Sequence, residues 1–497
     1  MLSPRPRPSY IDAMKRTLTL RDPSSLAVIF LALLALMPTA RAESAPNILL
    51  LIGDDMGVET LPCYGIAKDT ADLPNLDRLC REGVRFNNVW SQPSCSPTRA
   101  TMMTGRYGFR TGVGAAIPAP SGVSGRRPTP PLPPGAHRES PSDERPDSVV
   151  PGLRPGEFTI ARALKAFAAR QYETAAIGKW HLADMNNGAF EHPNRAGFDH
   201  FKGDAFGPLP SYFAFPMQIN GQTTSGKVGY ADSVRVDDAI AWIRGRDGRQ
   251  PWFLWLGFSN PHSPYHLPPL ELLRGPSREL NPFSADVVDK PFPYFKAMLE
   301  GLDAEIGRLL GSLTPQQRAN TYVIFIGDNG TTRRVAQAPF DPKRSKGTVY
   351  QGGINVPLVI SGPGIAGGRS LDALVNTVDM FATVLDLASI DPKRVVPRDI
   401  VIDSISFAPL LRSPEAVSPR RFAYADRFGA GVKPAQAIRN AGYKLVINEG
   451  TEELYDMTMD PYEKNNLLRG ELSAEARQNF EALKVTLADL LASESRR

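Results

Sequence analysis

The chain has 497 residues, 42% hydrophobic and 22% charged, with 46 prolines and three cysteines. This is more than one hydrophobic core usually serves, so one large domain with a smaller companion is expected, in a globular protein rich in loops. The net charge of +5 does not point to nucleic acid: residues 1–42 hold six basic side chains against two acids, and the remainder is close to neutral.

Residues Leu26 to Met37 form an apolar run preceded by Lys15, Arg16 and Arg21 and followed by the small-x-small pattern Ala40-Arg41-Ala42. Residues 1–42 therefore read as a removable secretory signal peptide. Twelve apolar residues are too few to span a bilayer comfortably, so an exported protein, periplasmic or secreted, is expected, with no membrane span after cleavage. An exposed free thiol is a liability in such a compartment, yet three cysteines leave at least one unpaired. Cys80 sits in the helix-like stretch Leu76–Glu82 and reads as a buried apolar side chain, with a Cys63–Cys80 bridge left open. Cys95 lies in Ser94-Cys95-Ser96-Pro97-Thr98-Arg99, among small polar residues, and suits neither description.

Asn47-Ile48-Leu49-Leu50-Leu51-Ile52-Gly53 is an apolar run ending abruptly in Asp54 and Asp55. It reads as a strand buried on both faces, as in parallel sheets. Trp252–Gly257 ends similarly in Phe258-Ser259-Asn260-Pro261-His262, and Thr321–Gly327 in Asp328-Asn329. Helix-like segments, Thr159 to Arg170 and Tyr294 to Leu313, alternate with these runs, which implies an α/β fold. Ligands gather beyond the carboxyl ends of such strands, where all three runs turn polar. Residues 116–155 interrupt the pattern as a Pro-rich insertion loop, either a lid over a site or a passive excursion. Residues 43–385 are expected to form the large domain. Residues 386–497 form a C-terminal subdomain of short antiparallel strands and a final helix from about Ser473 to Leu491.

Asp54, Asp55, Asp328 and Asn329 offer oxygen ligands at two strand ends, a set that suits a hard cation such as calcium or magnesium. Strand-end acids also cap helices and make turns, but two matching ends in one chain favour the cation site. Lys179 and His181 in Gly178-Lys179-Trp180-His181, His262, and Lys346 in Ser345-Lys346-Gly347-Thr348 would suit an anionic substrate beside that cation. His137, His192, His200 and His266 fall in no motif, and structural or surface places are expected for them.

Ser94–Arg99, continuing to Met102-Met103-Thr104-Gly105, resembles the sulfatase signature Cys-x-Pro-x-Arg with its trailing apolar-apolar-Thr-Gly. The resemblance runs in family order through most of the chain. It takes in Pro74–Leu79, Gly178–His181, Ser259–His262, Lys346–Gly353 and Glu453–Asp456 with Asp460–Leu467. The chain is thus identified as a member of the formylglycine-dependent, arylsulfatase-like sulfatases, of the alkaline-phosphatase-like superfamily. Gln171 stands where the family has glycine, and Gln351 and Asn355 replace charged residues of the double-glycine segment, which bears on substrate fit.

The resemblance implies a large, mostly parallel mixed sheet flanked by helices, with a smaller antiparallel-sheet-plus-helix subdomain. It implies hydrolysis of a sulfate ester to alcohol or phenol plus sulfate. Cys95 is oxidised by a formylglycine-generating enzyme to 3-oxoalanine (formylglycine), whose hydrate is the nucleophile. Ca2+, in preference to Mg2+, is held by Asp54, Asp55, Asp328, Asn329 and an oxygen of modified Cys95. Lys179 and Lys346 hold the sulfate and Arg99 fixes the hydrate. His262, with Lys346, protonates the leaving oxygen, and His181 takes a proton from the second hydroxyl as sulfate is expelled. The competing readings are a phosphate or phosphonate ester hydrolase of the same superfamily and an exported binding protein without catalysis.

Overall fold

The structure, a computed structural model, describes residues 45–120, 152–167, 171–224, 226–413, 415–429 and 431–493. The predicted signal peptide and most of the Pro-rich insertion, His137 included, lie outside the described residues. Strand β1 (Asn47–Gly53) is apolar on both faces because both are covered. Ile48, Leu50 and Ile52 belong to one apolar cluster, Leu49 and Leu51 to the other, and all are fully buried. Burial of each such side chain stabilises the fold by about 1.5–3 kcal/mol.

The strands that follow are β2 (Val84–Trp90), β3 (Glu173–Lys179), β4 (His200–Asp204), β5 (Ala214–Phe215), β6 (Gln218–Ile219), β7 (Gln222–Thr223), β8 (Lys227–Val228), β9 (Trp252–Gly257), β10 (Thr321–Gly327), β11 (Leu358–Ser361) and β12 (Arg369–Asn376). Ten strands form one sheet in the order β12-β2-β11-β10-β1-β9-β3-β4-β6-β7, while β5 and β8 pair separately. The five central strands, β10 through β4, are mutually parallel. Helices Cys95–Thr104, Ile160–Ala166 and Met380–Leu387 cover one face, and Pro74–Glu82, Ala231–Arg244 and Phe292–Ser312 the other. The predicted α/β architecture is thus observed. The helix expected over Thr159 to Arg170 is assigned only over Ile160–Ala166, after Thr159 caps it by accepting the Arg162 N–H.

Parallel register sets the floor of the sheet's carboxyl edge. Gly178 on β3 stands opposite Gly203 on β4 and Gly257 on β9. A Cβ on Gly203 would come 2.0 Å from the Gly178 carbonyl oxygen, and one on Gly178 would come 2.1 Å from that of Gly257. Only glycine permits so close an approach of backbones.

The C-terminal sheet comprises β13 (Ala423–Arg427), β14 (Ala435–Arg439), β15 (Tyr443–Asn448) and β16 (Thr451–Asp456), all antiparallel. Helix Ala474–Ala492 packs Ala476, Leu483 and Leu487 against its Tyr443, Leu445 and Leu454. Ile390, Phe407, Leu410 and Leu411 still pack in the large sheet's core, so the second sheet begins well after residue 386. Lys444 of β15 is fully buried, pairs with Glu463 at 2.5 Å and lies 4.6 Å over the Trp90 ring.

One expectation is corrected. Cys63 and Cys80 form a disulfide, so Cys80 is not simply an apolar side chain of its helix. Its core-facing position also faces the Pro62–Tyr64 turn, a proximity in space that helical periodicity does not reveal. Cys95 is the free cysteine, and it is buried. Among the described residues, no helix is long and apolar enough to cross a membrane.

Candidate active site

The parallel register that sets Gly53 opposite Gly327 brings the two acidic strand ends side by side. Asp54, Asp55 and Asp328, together with Cys95, offer ligand atoms that all lie within 4.8 Å of one another. Asp54, Asp328 and Asn329 are fully buried and Asp55 nearly so. Asp55 has φ +67°, a left-handed conformation costly for a residue with a Cβ and concentrated at functional sites.

Cys95 is the first residue of its helix and Arg99 lies one turn later on the same face. No side chain caps this helix, so its first turn and the positive end of its dipole remain available to an anion. Arg99 donates through Nε and Nη2 to Asp328 Oδ2 at 3.0 and 2.8 Å, and through Nη1 to the Lys179 carbonyl at 2.7 Å. Lys179, the last residue of β3, donates to Asp54 Oδ2 at 2.5 Å and lies 3.6 Å from Cys95 Sγ. Lys346 donates to Asp55 Oδ1 and also lies 3.6 Å from Cys95 Sγ. The free cysteine is thus flanked by two lysines.

His262 Nε2 stands 3.8 Å from Asp55 Oδ2, while Nδ1 donates to the Ser263 carbonyl at 2.6 Å. The His262 and Lys346 side chains are 17% and 19% exposed and mark the open side of an otherwise buried cluster. His181, at φ +59°, donates from Nε2 to the Ile117 carbonyl at 2.9 Å, and its Nδ1 is buried with no partner. All the residues singled out by sequence therefore converge here.

Burial raises the pKa of Asp328, aided by the charge of Asp54 and opposed by Arg99. Lys179 is the largest charge acting on Asp54 and holds its carboxyl below the usual range despite burial. Burial pushes the Cys95 thiol up to about 12, with Lys179 and Lys346 opposing. Both histidines are depressed by burial: His181 further lowered by Lys179, His262 partly restored by Asp55.

The donor set fits a hard cation. Asp54, Asp55 and Asn329 each keep one buried oxygen without a hydrogen bond: Asp54 Oδ1, Asp55 Oδ2 and Asn329 Oδ1. Orphaned buried oxygens are rare because they forfeit hydration, and three facing one another in one cluster suit a hard cation as their common partner.

Several supporting residues had no motif to announce them. Asp232 accepts the N–H groups of Ser259 and Asn260 at 3.2 and 3.1 Å and so shapes the turn that carries His262. The Tyr212 hydroxyl lies within hydrogen-bond distance of the Ser259 and His262 carbonyls, at 2.5 and 2.6 Å. Arg235 bridges Asp232 and Asp204. His192 is structural: its Nδ1 accepts the Trp180 Nε1–H at 2.9 Å and its Nε2 donates to the Leu153 carbonyl. His266 packs its ring 4.1 Å from that of Tyr212.

The Sulfatase family model matches residues 46–390, and the model "N-sulphoglucosamine sulphohydrolase, C-terminal" matches residues 340–491. Arylsulfatase A of Homo sapiens is 27% identical over 514 residues, covering 92% of this chain and 90% of that protein. Steryl-sulfatase of Mus musculus is 28% identical over 506 residues, covering 85% of this chain and 72% of that protein. The crystal structure of Ps i-CgsB shares the fold with a TM-score of 0.71, at 23% identity over 91% of this chain and 93% of that one. With a matched family running through the whole large domain and the cluster at its centre, the chain belongs to the sulfatase family and is a sulfuric ester hydrolase.

Proposed function

We propose that the protein hydrolyses a sulfate ester using formylglycine made from Cys95 on a calcium site. The observation that carries this reading is the trio of orphaned oxygens, on Asp54, Asp55 and Asn329, beside a cysteine flanked by two lysines. A neutral buried thiol is a poor nucleophile, which supports its conversion by a formylglycine-generating enzyme. The hydrated aldehyde supplies an oxygen nucleophile in place of sulfur. Asp54, Asp55, Asp328 and Asn329, with an oxygen of modified residue 95, would hold calcium, whose positive charge would polarise the sulfate.

The chain's own residues do the rest. Lys179 and Lys346 bind the sulfate oxygens and offset their charge, aided by the helix N-terminus. Arg99, locked by Asp328 and the Lys179 carbonyl, fixes the residue one turn before it. His262 sits at the open side with Lys346, where the alcohol half of the ester departs, and protonates the leaving oxygen. His181 accepts a proton at Nδ1 as sulfate is released. Export is part of the same proposal, supported by the Cys63–Cys80 disulfide, which suits an oxidising compartment.

The test is to express the protein with and without a formylglycine-generating enzyme and to follow the residue-95 peptide by mass spectrometry. Turnover of 4-nitrophenyl sulfate and 4-nitrophenyl phosphate is then measured with calcium. Sulfatase activity that tracks the oxidised peptide is expected. Dominant phosphatase turnover, or full sulfatase activity with an intact thiol or in Cys95→Ala, overturns the reading.

A further inference from the structure

Asp55 stands on a backbone with φ +67°, a conformation that persists only where the surrounding structure over-determines it. Upstream, the Asp54 N–H donates to the Asn260 carbonyl and the Asp55 N–H to Asp328 Oδ1, each at 3.1 Å. Downstream, the Gly57 N–H donates to Thr331 Oγ1 at 3.1 Å. Thr331 follows closely on Asn329 in Asn329-Gly330-Thr331. One acidic strand end is therefore pinned by the chain that leaves the other.

Thr331 is buried and reaches a third segment through its carbonyl, which accepts the Lys346 N–H at 3.0 Å. Its hydroxyl has a second partner in the buried carboxyl of Glu59. That carboxyl folds back over Gly57, where an added Cβ would come 2.2 Å from Glu59 Oε2. A hydroxyl has one proton. With the proton given to a Glu59 oxygen, a lone pair is left to meet the Gly57 N–H. Among the described residues no basic side chain pairs with Glu59, and its Oε2 is buried without a hydrogen bond. An acid buried on such terms costs stability, and the contact it makes is with the Thr331 hydroxyl.

We propose that Glu59 and Thr331 are positioning residues for the cation site: Glu59 orients the Thr331 hydroxyl, Thr331 holds Gly57, and Gly57 keeps Asp55 in its left-handed conformation beside Asp54 and Asp328. The proposal rests on the calcium reading above and extends it to two residues that are not themselves ligands. Without the hydroxyl the Gly57 N–H is left buried and unpaired, and the strained turn at Asp55 is free to relax away from the cluster. Partners one step behind the ligands commonly carry about 10–100-fold in metal affinity.

The test is calcium binding rather than turnover. Calcium is titrated calorimetrically into metal-free protein with oxidised residue 95, and the thermal midpoint of each metal-free variant is measured beside it. Thr331→Val, which keeps the shape without the hydroxyl, is expected to raise Kd by about tenfold or more, and Thr331→Ser to stay within about threefold of the parent. Glu59→Met, which removes the acceptor, is expected to weaken binding similarly, and Glu59→Gln, which keeps a carbonyl oxygen, to restore it. Because Glu59 acts through the hydroxyl, Thr331→Val with Glu59→Met should bind no more weakly than Thr331→Val alone. Lowered midpoints with an unchanged Kd make both residues merely structural and overturn the proposal. Additive losses in the double variant overturn the relay from Glu59. If Thr331→Val does not fold, Glu59→Met against Glu59→Gln decides the same question from the other end. Parent protein that binds no calcium refutes the underlying calcium reading instead.

Discussion

His181 donates from Nε2 to the carbonyl of Ile117 at 2.9 Å, and the Ile117 N–H in turn donates to Ser96 Oγ at 3.1 Å. The backbone of one residue, Ile117, thereby links the histidine to the residue after Cys95. Because a carbonyl can only accept, the proton is on Nε2 and the lone pair on Nδ1, which has no other partner. Burial and the Lys179 charge keep the ring neutral. The imidazole is thereby oriented with Nδ1 as its unpartnered acceptor.

Replacing His181 with alanine should therefore slow the release of sulfate more than the loss of the alcohol. Steady-state kcat for 4-nitrophenyl sulfate is expected to fall by about 10²–10⁴. An initial burst close to one 4-nitrophenol per modified enzyme should precede the slow phase in stopped-flow absorbance. Strictly linear product formation from the first turnover would remove His181 from that role.

Calcium should act as a stabilising ligand independently of turnover. Titrating the ion into metal-free protein is expected to raise the thermal midpoint, with about 2.7 kcal/mol gained at a hundredfold excess over Kd. Asp55→Asn removes one charge while keeping the shape, and should abolish most of that shift in differential scanning fluorimetry. An unchanged shift in this variant would mean that the ion binds elsewhere.

His262 must carry a proton to serve as an acid, yet burial lowers its pKa below the ordinary 6.5. The protonated fraction is therefore lost as pH rises through that lowered value, so turnover of esters with poor leaving groups should favour acid pH. 4-Nitrophenyl sulfate, whose leaving group needs no proton, should show a weaker alkaline fall. His262→Ala should cost about 10²–10⁴ in kcat for an alkyl or sugar sulfate and markedly less for the aryl ester. Equal losses for both substrates would count against proton donation.

Away from the acidic cluster, Asp426 offers a pH signature of stability. Burial pushes its carboxyl from 3.8 to about 7. Between those values the folded chain keeps a proton that the unfolded chain releases. Its contribution is therefore complete below the lower value and is lost as pH rises through the upper one. The swing is on the order of 4 kcal/mol at most, from about 1.36 kcal/mol per pKa unit. Urea unfolding of parent and Asp426→Asn at pH 4 and pH 8 should show the parent losing more stability across that range. Parallel pH profiles would contradict the buried-acid account.

How much of this was legible in the sequence differs from strand to strand. β1 and β10 declared themselves because unbroken apolar runs ended in Gly-Asp, and parallel register made neighbours of their acids. β4 ends in the same Gly203-Asp204, but only five residues long and broken by His200 and Lys202, it carries no continuous apolar run. Asp232 and Arg235 were hidden for another reason: charges on a helix read as solvated, and only the packing of Ala231–Arg244 onto the sheet buries them. The Cys63–Cys80 pairing likewise depends on a fold-level approach that no local pattern encodes.

The row of Gly203, Gly178 and Gly257 has a consequence for how such an enzyme can diversify. With carbonyl oxygens standing where side chains would begin, the sheet edge just before Lys179 has no room for a side chain at these three positions. Any change of shape at this edge must come from the side chains and loops around the row. The row itself is held to one shape, and room for variation begins only beyond it.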